Sequence, residues 1–330
     1  MLHDTGGRSQ VAPKRKALVA AVRRCYASPV LPFQKGSLPL FRFAGIQVYL
    51  HWSWFLVAAY SVFERRERYE ALVYAAAEYV ALFLIVLMHE FGHSLACRQV
   101  GGQSDHIVLW PLGGIAFVRP PHRPGAMLWS IAAGPLVNVL LVPVTYAFMH
   151  WSLGGAAMGS PDLQEFAVAV FVVNLVLLVF NLLPIYPLDG GQILQSLLWF
   201  AFGYARSLFI SSIMGFVGLA GLVALDQYLA PGSLWTVVIA AFLGTRCWQT
   251  FTFARERLAF ERRPRDMTRS CPACGAHPLR GLALPCGSCG RPFDAFAANG
   301  VCPQCGTEHP DIRCLDCGEM RPIATWPRTN

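Results

Sequence analysis

The stretch "ALFLIVLMHEFGHSLACRQVGG", residues 81–102, decides how the whole chain is read. Eight apolar residues, Ala81 through Met88, run straight into His89, Glu90, Phe91, Gly92 and His93. On a helix, residues four apart share one face, one turn from each other. His89 and His93 can therefore grip one zinc ion, with Glu90 beside them as a base toward water. Ionisable groups at the end of so apolar a run call for a metal, a partner or a water-filled cavity.

The rest of the composition agrees with a membrane setting. The 330 residues are 55% hydrophobic and 14% charged, against about 25% charged in a water-soluble domain. The charge deficit lies between roughly residues 45 and 250, where several windows reach about the 20 residues that cross a bilayer. Six spans are expected. They are residues 45–63, about 71–100, 126–151, 165–184, about 208–225 and about 234–251. Between the second and third, "DHIVLWPLGGIAFVRP" reads as a small β-hairpin turning near Gly113 and Gly114. The expected fold class is thus an all-α polytopic membrane protein with one hairpin between helices two and three.

The net charge of +8 collects at the two ends. Lys14, Arg15, Lys16, Arg23, Arg24 and Lys35 precede the first apolar run, and Arg255, Arg257, Arg262, Arg263, Arg265 and Arg269 follow the last. Such flanks stay in the cytosol and touch anionic headgroups. Both termini are therefore expected on the cytosolic side of the plasma (inner) membrane, and a nucleic-acid partner is the weaker reading of the charge. The one dissent is "ERRERYE", residues 64–70, which this topology puts outside. The first 40 residues show no apolar stretch before a small-residue cleavage site, so no signal peptide is expected. Residues 14–26, "KRKALVAAVRRCY", fit a short surface helix or a plain tail.

A catalytic zinc needs a third protein ligand and an open position. The candidate lies in "NLLPIYPLDGGQIL", residues 181–194, where Asp189 is the only acid between Glu165 and Asp226. Pro184 and Pro187 break the preceding helix, and Gly190 and Gly191 permit close backbone approach. Asp189 could equally cap the segment from Gly191 onward. The topology favours the ligand, because it brings Asp189 to the same side as His93.

These pieces together resemble the site-2 protease family, the intramembrane zinc metalloproteases. The resemblance rests on "HEFGH" at 89–93, "NLLPIYPLDGG" at 181–191, "AAGPLVN" at 132–138, "LWPLGG" at 109–114 and "GIQVYLHWSWFL" at 45–56. It covers roughly residues 40–250, closest to compact bacterial members without a PDZ insertion. It implies His89, His93 and Asp189 as zinc ligands, Glu90 as catalytic base, and a transmembrane protein as substrate. Buried amides in spans often tie helices together, but the family pattern points to Asn138 and Asn181 as substrate-orienting or oxyanion groups, and not to Asn174.

Eight of the eleven cysteines form a second pattern: "CPACG", "CGSCG", "CPQCG" and "CLDCG" between residues 271 and 317. Two thiolates three apart take one metal, and four close a structural zinc site. Sequential pairing gives Cys271, Cys274, Cys286 and Cys289 as one site and Cys302, Cys305, Cys314 and Cys317 as the other. An interleaved pairing is left open by spacing alone. A cytosolic tail argues against disulfides. The expected organisation is a basic N-terminal segment (1–40), a six-span core (41–253), a basic linker (254–270) and a double zinc ribbon (271–330) that binds a protein partner. The expected function is a zinc-dependent intramembrane endopeptidase with one catalytic and two structural zinc ions. The rival is a catalytically silent membrane scaffold acting through the ribbon.

Overall fold

The computed structural model describes residues 36–110, 113–154, 160–229, 234–281 and 283–327. The surface helix considered for 14–26, Cys25, and the hairpin turn at Pro111 and Leu112 lie outside those residues. The chain divides into two compact units, one within residues 31–255 and one that includes residues 256–330.

The first unit opens with strands β1 (Ser37–Phe43) and β2 (Ile46–His51), then helices α1 (Ser53–Arg65) and α2 (Leu72–Gln99). Strands β3 (Gln103–Trp110) and β4 (Gly113–Arg119) follow. Five helices complete it: α3 (Pro124–Leu153), α4 (Pro161–Leu182), α5 (Asp189–Phe202), α6 (Tyr204–Leu229) and α7 (Leu234–Glu261), the last of which runs on into the basic linker. Among the described residues, α2, α3, α4, α6 and residues 236–261 of α7 are long and apolar enough to cross a membrane. Only 17–33% of their most apolar windows is buried, so their remaining apolar faces are left for lipid. Pro135 and Pro143 sit inside α3, as membrane helices tolerate.

The expected first span is not one continuous helix. Residues 45–63 form β2 and most of the 13-residue α1, and that helix by itself reaches only about 20 Å of a roughly 30 Å hydrocarbon core. The reason lies in the sequence itself. Ile46, Val48 and Leu50 are buried while Gln47, Tyr49 and His51 are half-buried, a period of two that suits a strand and not a helix. Asp189 also departs from the capping alternative: it is the first residue of α5, and Leu188 occupies the cap position.

The expected hairpin is the outer half of a larger sheet. The strand order is β1-β2-β3-β4, with β1–β2 and β3–β4 antiparallel and β2–β3 parallel. Ile46, Val48, Leu50, Ile107 and Leu109 pack against Val86 and Leu87 of α2, immediately ahead of His89. Arg98, in the last turn of α2, ties the sheet down, donating to the carbonyls of Ala44, Gly45 and Ser104. The metal-motif helix and the sheet beside it thus form one body.

At the other end of α2, the "ERRERYE" loop is anchored by charge. Glu78 is buried and paired with Arg65, and Tyr69 Oη donates to it at 2.9 Å. Asp162 accepts the backbone N–H groups of Glu70 and Ala71 at 2.9 and 2.8 Å, and Arg68 pairs with Glu165 at 3.5 Å. Two of the loop's three arginines therefore have carboxylate partners.

The second unit is built from four similar knuckles. In each, the glycine after the second cysteine donates its N–H to the first cysteine's carbonyl: Gly275 to Cys271, Gly290 to Cys286, Gly306 to Cys302 and Gly318 to Cys314. All four glycines have positive φ, between 69° and 80°, which a side chain rarely adopts. Hairpins β5–β6 (Ala283–Pro285, Pro292–Asp294) and β7–β8 (Asp311–Arg313, Met320–Pro322) carry the second and fourth knuckles at their tips.

Candidate metal centre

His89 and His93 lie on the buried side of α2, and Asp189 begins α5 after the chain leaves α4 at Leu182. The three meet. His89 Nε2 lies 3.0 Å from His93 Nε2, and Asp189 Oδ2 lies 3.0 Å from the first and 3.3 Å from the second.

The hydrogen bonds behind these groups decide their protonation. Asn174 of α4 approaches the backbone carbonyl of Asn138 of α3 at 3.1 Å. A carbonyl only accepts, so that end of Asn174 is its Nδ2. Asn174 Oδ1 then accepts from Asn138 Nδ2 at 2.9 Å. This leaves Asn138 Oδ1 facing His89 Nδ1 at 2.6 Å, so His89 carries its proton on Nδ1. His93 Nδ1 faces the carbonyl of Ser130 at 2.9 Å and is a donor for the same reason. In the neutral imidazoles both Nε2 atoms are then bare lone pairs, aimed at each other and at a carboxylate oxygen.

Three acceptors cannot satisfy one another. Asp189 Oδ2 is buried without a hydrogen-bond donor among the described residues. A metal cation between them satisfies all three. Two imidazole nitrogens and a carboxylate oxygen, each orientable behind by a second hydrogen bond, suit zinc with one position open. The residues present therefore fit a zinc ion. Gly134 of α3 makes room: a Cβ there would run into the rings of both His93 and His89.

Glu90 is buried next to this cluster. Its Oε2 accepts the backbone N–H of Ala116 in β4 at 3.0 Å, and a Cβ at Gly114 of β4 would collide with its carboxyl group. The hairpin therefore closes directly on the acid. His89, Glu90, His93 and Asp189 line one cavity of about 470 Å³, together with Asn181 from the last turn of α4 and Gln192 from α5.

The two expected asparagines part company. Asn181 lines the cavity. Asn138 stands behind His89, fully buried, with both amide atoms taken. Its position serves the histidine. Asn174, set aside on the family pattern, completes the relay. The sequence signal for it was the helical face it shares with Asn181 seven residues on.

In the second unit the thiols gather as Cys271, Cys274, Cys314 and Cys317, and as Cys286, Cys289, Cys302 and Cys305. The expected sequential pairing is corrected to a nested one, first knuckle with fourth and second with third. Closest sulfur approaches are 3.9 Å (Cys271–Cys317), 3.8 Å (Cys274–Cys314), 3.6 Å (Cys286–Cys305) and 3.8 Å (Cys289–Cys302). The physical reason is that the unit closes end to end. Arg265 pairs with Asp316 at 2.6 and 3.0 Å, and Ser270 N–H reaches the Pro327 carbonyl at 3.2 Å. His309 Nε2 lies 3.2 Å from Cys286 Sγ. The backbone N–H of Cys289 above all, with help from His309, brings the Cys286 thiol down to about 5, so it is ready to bind as thiolate.

Comparison with known proteins gives the following. Residues 143–225, which include Asp189 but not the His-Glu-x-x-His stretch, match the profile of Peptidase family M50. A zinc metalloprotease of Methanocaldococcus jannaschii is 30% identical over 183 residues, 54% of this chain and 50% of that protein. Stage IV sporulation protein FB of Bacillus subtilis is 36% identical over 120 residues, 35% of this chain and 38% of that protein. The chain thus spans half or less of the length of these relatives. Among solved structures, a site-2 protease from Methanocaldococcus jannaschii aligns with 65% of this chain and 95% of its own. The TM-score is 0.46 at 24% identity.

Proposed function

We propose, from the peptidase family M50 (site-2 protease) domain that this membrane chain carries, that it is a zinc-dependent endopeptidase cutting transmembrane segments of other proteins. One observation carries the reading: two bare imidazole nitrogens and an undonated carboxylate oxygen converge inside a bundle of apolar helices, with a buried glutamate alongside. His89, His93 and Asp189 would hold the metal, which when bound supplies Lewis acidity toward water and the scissile carbonyl.

Glu90 takes a proton from the attacking water and returns it to the departing nitrogen. Its bond from Ala116 N–H supports this role, because it fixes the carboxylate against β4 at the cavity wall. Asn181 serves the substrate side of the cavity, orienting the peptide or donating to its developing negative charge. A helical substrate hides its peptide bonds, so it must unwind. Strand β4 ends the sheet and lines the cavity through Gly114 and Ala116, which supports its pairing with the unwound segment. Ile115→Pro should then abolish cleavage of a full-length substrate, and intact cleavage would remove strand addition from the mechanism.

Both termini are assigned to the cytosolic side of the inner membrane. Five spanning helices would put the ends on opposite faces. The sixth crossing falls to β2 and α1 together, residues 46–65, whose combined six strand and thirteen helix residues reach about 40 Å. The two cysteine clusters hold structural zinc ions in a double ribbon, the module that recruits a protein partner.

The test compares membrane-protein fragments, by quantitative mass spectrometry, in cells carrying the native chain or Glu90→Gln. A single-span protein that stays whole only in the variant, its cytosolic product missing, supports the protease. Identical fragment patterns across growth and stress conditions would leave a scaffold.

A further inference from the structure

Arg246 of α7 is the one lysine or arginine among the described residues lining the metal-centre cavity. Its helix is anchored at that level. Cys247, the next residue, is fully buried and its Sγ donates to the Tyr186 carbonyl at 2.8 Å, three residues ahead of Asp189. Leu243, one turn earlier, packs with Cys247 on Ile185. The helix that carries Arg246 is thus pinned at this level to the loop that delivers Asp189.

The guanidinium has no carboxylate partner among the described residues. It makes a 3.5 Å approach to Gln249 Oε1 on its own helix and lies 5.4 Å from the Phe242 ring centroid. Neither neutralises it. Arg246 lies nine residues before Arg255, roughly 14 Å along the helix, within a helix apolar enough to cross a membrane, where an uncompensated charge is costly. A side chain that merely snorkels would turn to the headgroups. This one lines the cavity.

We propose that Arg246 is a specificity-determining residue, and that the cavity selects segments carrying an aspartate or glutamate side chain close to the bond to be cut. The inference rests on the protease reading. A planar guanidinium with free donors matches a carboxylate in a two-bond grip. The neighbouring Gln249 and Thr250, which also line the cavity, add neutral polar groups around that contact.

The experiment uses the full-length, zinc-loaded chain in lipid vesicles and a set of single-span peptides. Each peptide carries one aspartate, or asparagine at the same place, stepped through the cytosolic half of the span. The expected result is one or two positions where aspartate raises kcat/KM by about tenfold or more over asparagine, as befits a charged hydrogen bond. Arg246→Gln should bring that ratio close to one, and Arg246→Glu should transfer the preference to lysine at the same position. A native chain indifferent to aspartate, or a preference that survives Arg246→Gln, overturns the assignment. Should no peptide be cut, the same pairs are compared by photocrosslinking to the Glu90→Gln chain. Aspartate-favoured crosslinking that disappears in Glu90→Gln/Arg246→Gln keeps the recognition while the hydrolysis reading fails, and equal crosslinking of both members overturns it.

Discussion

The amide of Asn174 touches no metal position, yet it fixes which nitrogen of His89 faces one. Its Nδ2 reads a backbone carbonyl, its Oδ1 orients Asn138, and Asn138 orients the imidazole. Without it the Asn138 amide is free to flip and present Nδ2 to His89, which would move the imidazole proton to Nε2. Asn174→Leu should weaken zinc binding at this site by about tenfold or more, as loss of an outer hydrogen bond does elsewhere. Competition with a graded chelator on the purified chain measures it, with helicity unchanged by circular dichroism. Gly134→Ala should act more bluntly, since the methyl group enters the space of both imidazoles. Zinc content should fall by one ion per chain while the ribbon keeps its metal. The first-rank groups were legible because their geometry is local: His89, Glu90 and His93 are set by one helical turn. Asn174 showed only the helical face it shares with Asn181, because its tie to Asn138 crosses a helix–helix contact that spacing does not encode.

Strand β4 approaches α2 so closely that a glycine separates them. A Cβ at Gly114 would meet the Glu90 carboxyl group, just where Ala116 N–H holds it. Gly114→Ala should therefore displace the base and leave the metal ligands alone. Cleavage should drop by two or more orders of magnitude, as for loss of a general base, with zinc content unchanged. The contrast with Gly134→Ala separates the two functions of the cavity wall, and zinc lost with Gly114→Ala would contradict it. At this scale the sequence was read well for long helices and poorly for short elements. Hydropathy over 20 residues sees β2 and α1 as one apolar run, while the alternation of Ile46, Val48 and Leu50 with polar or amphipathic neighbours shows the strand. Helix α5 was missed for the opposite reason: at 14 residues it is too short for a span, and it emerges only after the breaks at Pro184 and Pro187.

The chain as a whole offers a metal two unlike sets of ligands: an open centre of two histidines and an aspartate, and two closed clusters of four cysteines. Four like knuckles do not announce their partners, because every inter-knuckle loop is long enough to close either way. What decides the pairing is the meeting of the unit's ends, through Arg265 with Asp316 and Ser270 with Pro327. This makes a stoichiometric prediction. Replacing Cys271 and Cys317 together by serine removes two ligands from one cluster and should cost one zinc ion per chain. Replacing Cys271 and Cys286 removes one ligand from each cluster and should cost both. Sequential pairing demands the reverse order, so metal analysis of the two double variants separates the topologies. The small core of this unit, Phe293, Ile312 and Trp326 among the cysteines, is too slight to fold without its metals. A strong chelator should therefore abolish the near-ultraviolet signal of Trp326 and expose residues 262–330 to protease, while the helical signal of the apolar unit persists. A ribbon that stayed protease-resistant after full zinc removal would show that its packing, and not the metal, holds it together.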